Sequence, residues 1–367
     1  MKQLSRHILI VFIVLTSASV WSQQSYYSCY TGETRGKNIR LHLIKSNNKL
    51  NASLLVKEQT TEAVEFTLSG KLNSGGDFYL GQNFDSDTIL FGRLTKSHLE
   101  AFFKHDETDL ILMRLQTESA VNHLDIDIKT LELQQPLDTT NPDSPQAIFE
   151  GQLLLPKQAN ALLDSLFMKQ ADEMYRFKIN QLNEILSFEA KAFFAGYKKL
   201  NSFEDKDSPI FQWIKSSEVF IQLNQQQLFS FAVADYAYTG GAHGLSTKRF
   251  IVLDIKNLNQ LTIGDVFKAE ALNKLPDLLE KSLRIQYQIS ADSSLHSAGF
   301  FVVKPEITDN FWLSAAGVGF YYNSYEIAPY SFGHTPILLP YSQLEGLLKP
   351  EIVSRLNPIQ KSLNPQP

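Results

Sequence analysis

The chain has very little cysteine: Cys29 is the only one among 367 residues. A single cysteine excludes an internal disulfide and any zinc site built from several thiolates. The folded state must therefore be stabilised by the burial of apolar side chains. With 43% hydrophobic residues, a chain of this length can form two cores.

An excess of basic residues is also missing. The chain has 34 Lys and Arg against 39 Asp and Glu, a net charge of −5. A nucleic-acid partner requires a positively charged face. We therefore expect no nucleic-acid partner.

Short catalytic and metal-binding motifs are absent as well. No two of the eight histidines stand at His-Glu-x-x-His or His-x-x-x-His spacing, and no Gly-x-Ser-x-Gly sequence occurs. We therefore predict that the protein is not an enzyme and has no catalytic residues, no metal and no cofactor. A pair of carboxylates at the separation used for glycoside hydrolysis stays open, because sequence spacing does not reveal it.

Long apolar runs are missing too. The run at residues 8–15 is well short of the roughly 20 residues that a membrane-spanning helix needs. It follows Lys2 and Arg6 and precedes small residues and a cleavage site at Val20-Trp21-Ser22, which is the layout of a secretory signal peptide. We predict a signal peptide at 1–22 that is cleaved near Ser22, leaving a soluble periplasmic or secreted chain.

Two alternatives to a cleaved signal stay open. One is a retained membrane anchor, and the other is a lipoprotein modified at Cys29. The residues before that cysteine, Tyr26-Tyr27-Ser28, lack the leucine that a lipid-attachment sequence has three positions earlier. Loss of residues 1–22 removes two positive charges and no negative one, which brings the net charge to −7.

Residues 23–133 alternate between apolar and polar side chains, as at Ile39, Leu41 and Leu43, with turn residues between the runs. Period-two alternation predicts an antiparallel β-meander, either a small barrel or a sandwich. The sequence Phe91-Gly92-Arg93-Leu94 is similar to the glycine-containing strands of lipocalin-like barrels. The lumen of such a barrel either holds a small apolar ligand or is filled with side chains.

Residues 134–146 contain three prolines and no periodic apolar pattern. This composition predicts an interdomain linker, with a loop inside one larger domain as the alternative.

Beyond this stretch, helical spacing at Leu162, Leu163 and Leu166 alternates with strand patterns. The grouping favours an α+β fold, with helices packed on an antiparallel sheet. We place a strand-helix-strand domain at 147–235, a second domain at 236–349 in the same structural unit, and a tail at 350–367 that is loose from Asn357.

Four ordered motifs carry a resemblance to a known family. They are Tyr236-Ala237-Tyr238-Thr239-Gly240-Gly241-Ala242-His243-Gly244 and the stretches 254–267, 317–330 and 337–341. Together they resemble the RsiV-like C-terminal domain family, named after an anti-sigma factor whose extracytoplasmic part binds lysozyme. Residues 147–235 resemble the partner domain that also precedes the catalytic module of peptidoglycan N-acetylmuramic acid deacetylases. The resemblance implies an exported cell-envelope protein.

The resemblance and the aromatic content together suggest a binding site. Two consecutive glycines permit positive φ and close backbone approach, and tyrosines are favoured at binding surfaces. The alternative is that the loop at 239–244 is only a structural turn. We expect non-catalytic recognition of lysozyme or peptidoglycan fragments, with a hydrolase or deacetylase using carboxylates and His243 as the alternative. The candidate binding residues are Tyr236, Tyr238, Thr239, Gly240, Gly241, His243, Tyr325, Glu326 and Tyr330.

Overall fold

The computed structural model describes residues 25–58, 62–82, 89–95, 98–104, 110–118, 123–141, 143–202 and 209–363. An N-terminal closed barrel of eight strands precedes a six-stranded central sheet and a small three-stranded sheet, with helices beside both sheets. The predicted multidomain fold, a small β-barrel followed by an α+β part, is confirmed.

The strands of the barrel are β1 (Tyr26–Thr34), β2 (Lys37–Ser46), β3 (Lys49–Glu58), β4 (Val64–Leu72), β5 (Asp77–Gly81), β6 (Leu90–Leu94), β7 (His98–Lys104) and β8 (Leu110–Thr117). The central sheet contains β9 (Ile126–Pro136), β10 (Gln146–Pro156), β11 (Trp213–Gln225), β12 (Leu228–Tyr238), β13 (Leu245–Asp254) and β14 (Asn259–Gln260). The small sheet contains β15 (Phe311–Leu313), β16 (Gly317–Tyr322) and β17 (Thr335–Pro340). The helices are α1 (Ala161–Phe167), α2 (Glu173–Arg176), α3 (Ile185–Lys198), α4 (Ile263–Val266), α5 (Leu275–Gln286) and α6 (Pro350–Leu363).

The barrel follows directly from the alternation in its sequence. Neighbouring strands pair antiparallel in chain order, and β1 closes the barrel on β8, with Tyr30 opposite Thr117. Alternate side chains of each strand point inwards, and those of Leu41, Phe78 and Phe103 are at most 1% exposed. The lumen is therefore filled with side chains, as in other small barrels.

The central sheet has the order β14-β13-β12-β11-β10-β9, and among its described strands only the β10–β11 pair is parallel. A parallel pair needs a long crossover connection, which here contains α1, α2 and α3. These helices bury one face of the sheet, where Phe167 stacks on Phe231 at 5.6 Å between ring centroids. The small sheet covers the opposite face, where Trp312 stacks on Phe250 at 4.8 Å.

The predicted linker at 134–146 and the domain boundary at 133 are wrong. Strands β9 and β10 pair along their whole length, from Ile126 opposite Pro156 to Pro136 opposite Gln146. The intervening turn is closed by a hydrogen bond of 2.8 Å from the Asp138 N–H to the Ser144 hydroxyl. The proline-rich stretch is thus a hairpin of the central sheet. The barrel itself ends at β8.

The prediction of a tail at 350–367 that is loose from Asn357 is also wrong over its described part. Helix α6 runs from Pro350 to Leu363 and buries Ile352, Leu356 and Ile359 in the core of the small sheet. Their spacing of three and four places them on one face of the helix. The predicted signal peptide at 1–22 lies outside the described residues. None of the helices within the described ranges is long and apolar enough to cross a membrane.

The barrel and the central sheet meet along a buried polar seam, in which the outer wall of β2 and β3 faces β10 and β11. Asn51 donates to the Gln152 side-chain oxygen at 2.8 Å. Arg40, only 2% exposed, donates to Glu118 at 3.0 Å and also to Gln225. Polar groups are costly to bury unless they are paired, so these bonds select one relative placement of the two units. The seam comprises Arg40, Asn51, Ser53, Gln152, Gln222 and Gln225.

We predict that Arg40→Met lowers the free energy of unfolding by about 3 kcal/mol, because it leaves the Glu118 carboxylate without its guanidinium partner. Urea denaturation measures this loss. Lys157→Met is the control, since Lys157 forms an exposed ion pair with Asp127 and such pairs contribute about 1 kcal/mol or less. Equal losses for the two variants would contradict the role given to the seam.

A second link joins the barrel to the small sheet. The Trp312 indole donates to the Glu65 carboxylate at 3.0 Å. Burial raises the pKa of Glu65 to about 7. The folded state therefore holds a proton on Glu65 that the unfolded chain releases near pH 4.5, and the free energy of unfolding decreases as the pH rises through this interval.

We predict that Glu65→Gln removes this decrease, because glutamine keeps a hydrogen-bond acceptor for Trp312 but does not titrate. Relative to the native chain, the variant gains about 3 kcal/mol of unfolding free energy between pH 4.5 and about 7. Urea denaturation across this pH range provides the measurement. Parallel pH profiles for the two proteins would refute the assignment.

Candidate functional site

Two loops meet beyond the end of strand β12, on the face of the central sheet that the small sheet covers. The first loop, residues 239–244, connects β12 to β13, and the second, residues 323–330, follows β16. The His243 ring stacks on the Tyr330 ring at 4.2 Å between centroids. The Tyr330 hydroxyl donates to the Gly244 carbonyl at 3.1 Å. The ring centroids of Tyr325 and Tyr330 are 5.8 Å apart.

Glycines give the first loop its shape. Gly240 and Gly241 have φ of 92° and 103°, a region that residues with a side chain rarely adopt. Gly244 leaves room for Tyr236, since a Cβ there would lie within 2.5 Å of the tyrosine ring. The Tyr238 hydroxyl donates to the Gly241 carbonyl at 3.1 Å, which attaches the loop to the end of β12.

The tautomer of His243 follows from its hydrogen bond. Its Nδ1 lies 2.9 Å from the Gly244 carbonyl oxygen. A carbonyl only accepts hydrogen bonds, so Nδ1 carries the hydrogen and the Nε2 of the neutral ring is an acceptor. An exposed imidazole in this state can accept a hydrogen bond from a hydroxyl or amide of a ligand.

The second loop is fixed by Glu326 and Asn323. The Glu326 carboxylate accepts a hydrogen bond from the Asn323 N–H at 2.9 Å, and the Asn323 side chain accepts one from the Lys248 N–H at 2.7 Å. Tyr325 has φ of 72°, which is unusual for an aromatic residue. Its ring is 53% exposed, so the loop presents it to solvent.

The structure brings the predicted residues together at these two loops. Tyr236, His243, Tyr325 and Tyr330 form an exposed group, which we call the aromatic cluster. Tyr238, Gly240, Gly241 and Glu326 shape the loops around it, and Thr239 is exposed at the start of the first loop. Their role in binding stays a prediction.

Sequence reasoning missed a polar group beside the cluster. The Lys248 ammonium lies over the rings of Phe220 and Tyr321, at 5.1 and 5.6 Å from their centroids. Burial lowers the pKa of Lys248 to about 8, while the neighbouring Glu218 carboxylate opposes this shift. Burial in turn raises the pKa of Glu218. The alternation of β13 places Lys248 on the same face as Ser246, a signal that was available in the sequence.

His334 extends this polar group. Its Nε2 lies 2.9 Å from the Ser246 hydroxyl, and its Nδ1 is buried without a hydrogen-bond partner among the described residues. Burial lowers the pKa of His334, and the positive charge of Lys248 lowers it further. Within the described ranges no three His, Cys, Asp or Glu side chains converge as metal ligands would.

Two family models match parts of the chain. Residues 264–342 match a family described as protein of unknown function DUF3298, and residues 157–246 match a model described as Deacetylase PdaC. The chain is also similar to the peptidoglycan-N-acetylmuramic acid deacetylase PdaC of Bacillus subtilis strain 168, with 28% identity over 132 residues. This similarity covers 35% of the chain and 28% of the length of that deacetylase.

Two solved structures are similar to parts of this chain. A DUF3298 family member from Bacteroides fragilis superposes with a TM-score of 0.55 at 24% identity, covering 65% of this chain and 100% of that one. A DUF3298 family protein from Pseudomonas aeruginosa PAO1 gives a TM-score of 0.46 at 21% identity, covering 62% and 96%. The first of these supports the fold assignment.

The comparisons confirm one prediction in part and correct another. Segments of the chain match the DUF3298 and PdaC models, which confirms the partner-domain resemblance, while the relation to RsiV stays a prediction. The prediction that the protein is not an enzyme is wrong, because residues 157–246 match a model described as a deacetylase. The absence of short catalytic motifs was not sufficient ground for that prediction.

We predict that Gly244→Ala displaces the Tyr236 ring, because the added methyl group would overlap it. The free energy of unfolding should fall by about 1 to 2 kcal/mol, as expected for overpacking. Gly264→Ala is the control, since a Cβ there meets only the Thr262 hydroxyl at 3.7 Å. Urea denaturation and the NMR shifts of Tyr236 report the result. An unchanged Tyr236 environment in Gly244→Ala would contradict the prediction.

Proposed function

We propose that this chain is a cell-wall-related extracytoplasmic protein that binds peptidoglycan fragments at the aromatic cluster. The observation that carries the proposal is the stacking of His243 on Tyr330. His243 lies in the segment that matches the PdaC model and Tyr330 in the segment that matches DUF3298. The two segments that match these family models therefore meet at this exposed surface.

The chemistry of the cluster suits a glycan carrying a peptide. Tyrosine rings offer broad apolar faces that can cover a sugar ring, and their hydroxyls are polar. Tyr236, Tyr325 and Tyr330 are 38%, 53% and 36% exposed. Exposed backbone and the Nε2 acceptor of His243 supply hydrogen-bond partners for hydroxyl and amide groups.

The extracytoplasmic location rests on the similarity to a peptidoglycan deacetylase. Peptidoglycan lies outside the cytoplasmic membrane, so a chain that binds it must be exported. This agrees with the signal peptide predicted from the sequence. Detection of the protein in a cytoplasmic fraction alone would contradict the location.

We predict that Tyr330→Ala weakens the binding of a disaccharide-peptide fragment at least about tenfold, because it removes both the ring and the support of His243. Isothermal titration calorimetry measures the affinity. Phe177→Ala is the matched control, since Phe177 is 94% exposed and distant in sequence from both loops. Fragments that bind neither protein, or bind both equally, would contradict the proposed site.

Lysozyme is the second ligand for the same titration, because the resemblance to RsiV implies it. Binding of lysozyme that is lost in Tyr330→Ala would assign the aromatic cluster to a protein partner instead of a glycan. Binding of lysozyme that Tyr330→Ala leaves unchanged would place its contacts elsewhere.

A second candidate function is peptidoglycan deacetylation, which the match of residues 157–246 favours. Lys248, Glu218 and His334 lie beside the cluster with pKa values shifted by burial, and such shifts are common among catalytic groups. Hydrolysis of an N-acetyl group consumes water and releases acetate. Release of acetate from purified peptidoglycan, lost in Lys248→Met, would support this function. Absence of acetate release under conditions in which fragments bind would refute it.

A further inference from the structure

An exposed apolar row crosses the outer wall of the barrel. The row consists of Tyr79, Phe91, Phe102 and Leu112, which stand directly opposite one another on four successive strands. Tyr79, Phe102 and Leu112 are 58%, 40% and 38% exposed, and Phe91 stacks on Phe102 at 5.6 Å. Contiguous exposed apolar surface of this kind commonly marks an interaction site.

A charged row runs beside the apolar row, two residues away along each strand and on the same face. It consists of Asp77, Arg93, Glu100 and Arg114, again in direct register. Arg93 donates to Asp77 at 3.0 Å and Arg114 to Glu100 at 2.9 Å. Across β5 to β8 the signs therefore alternate as negative, positive, negative, positive.

This alternation is complementary to itself. A two-fold axis parallel to the strands, between β6 and β7, reverses the strand order of a facing copy but keeps each row at the same height. Asp77 then faces Arg114 of the second copy, and Arg93 faces Glu100 of the second copy. The apolar row likewise faces the apolar row. Two-fold dimers use one self-complementary patch in this way.

The position of the wall is compatible with such a dimer. The central sheet contacts the barrel at β2 and β3, through the buried seam. In a closed barrel of eight strands, β6 and β7 lie on the opposite side. A second copy facing β5 to β8 therefore meets the wall farthest from the seam.

We infer that two copies of this chain associate through the apolar and charged rows of β5 to β8. The inference is independent of the proposed function, because the aromatic cluster lies in the other half of the molecule. Balanced charges disfavour a uniformly charged partner such as a polyanion, whereas a second copy satisfies every member of the charged row.

Charge variants test the symmetry directly. Glu100→Arg changes the signs to negative, positive, positive, positive, which places Arg93 against an arginine of the second copy. We expect the dimer dissociation constant to rise at least about tenfold. In the double variant Arg93→Glu/Glu100→Arg, the charges from β5 to β8 are negative, negative, positive and positive. This order is again complementary under the same two-fold axis. It should restore association to within about threefold of the native chain.

Sedimentation equilibrium of the full chain measures association, and thermal unfolding verifies that each variant is folded. Loss of the exposed Glu100–Arg114 ion pair should cost little stability. A second pair of variants probes the apolar row: Phe102→Glu should abolish the dimer, whereas Phe177→Glu, at a more exposed aromatic residue in the helical region, should not.

Two outcomes would overturn the inference. One is a native chain that stays monomeric at high micromolar concentration. The other is a double variant that associates as weakly as Glu100→Arg, which would show that the two-fold pairing of the charged row is not used. Restoration by the double variant supports a second copy specifically, because an unrelated partner would not compensate for the exchange.

Discussion

The buried pairing of Arg40 with Glu118 and Gln225 is the constraint on which the arrangement of the molecule depends. Removing a guanidinium from water is costly unless its hydrogen bonds are replaced. Because these partners come from the end of the barrel and from β11, the pairing is satisfied in only one orientation of the barrel relative to the central sheet. Apolar contacts alone would tolerate sliding between two β surfaces. Asn51 and Gln152 add a second fixed point in the same interface.

The central sheet in turn positions the aromatic cluster. Helices bury one face of this sheet, and the small sheet buries the other face. The loop after β12 and the loop after β16 therefore approach each other from two separate sheets. The rings of His243 and Tyr330 stack where the two loops meet. Residues far apart in the chain form the cluster because contacts such as the stacking of Trp312 on Phe250 pack the sheets together.

Much of the fold could be predicted because local patterns matched it. Period-two alternation identified the strands of the barrel, as at Ile39, Leu41 and Leu43, since inward and outward positions differ sharply in polarity there. The proline-rich hairpin was mistaken for a linker because Pro136 ends a strand instead of interrupting one. Helix α6 was missed although its buried residues have helical spacing, and the helix continues through Pro358. The alternation of β13 indicates the face on which Lys248 lies, but spacing does not show its aromatic neighbours, because they come from other strands.

The parallel pairing of β10 with β11 joins two segments of the chain that a cut between them would separate. A fragment cut at residue 157, where the similarity to PdaC begins, would lack β10. The backbone of β11 would then be left as an unprotected edge, open to pairing with other molecules. We therefore expect such a fragment to aggregate, and an excised piece must keep β10 so that β11 stays paired.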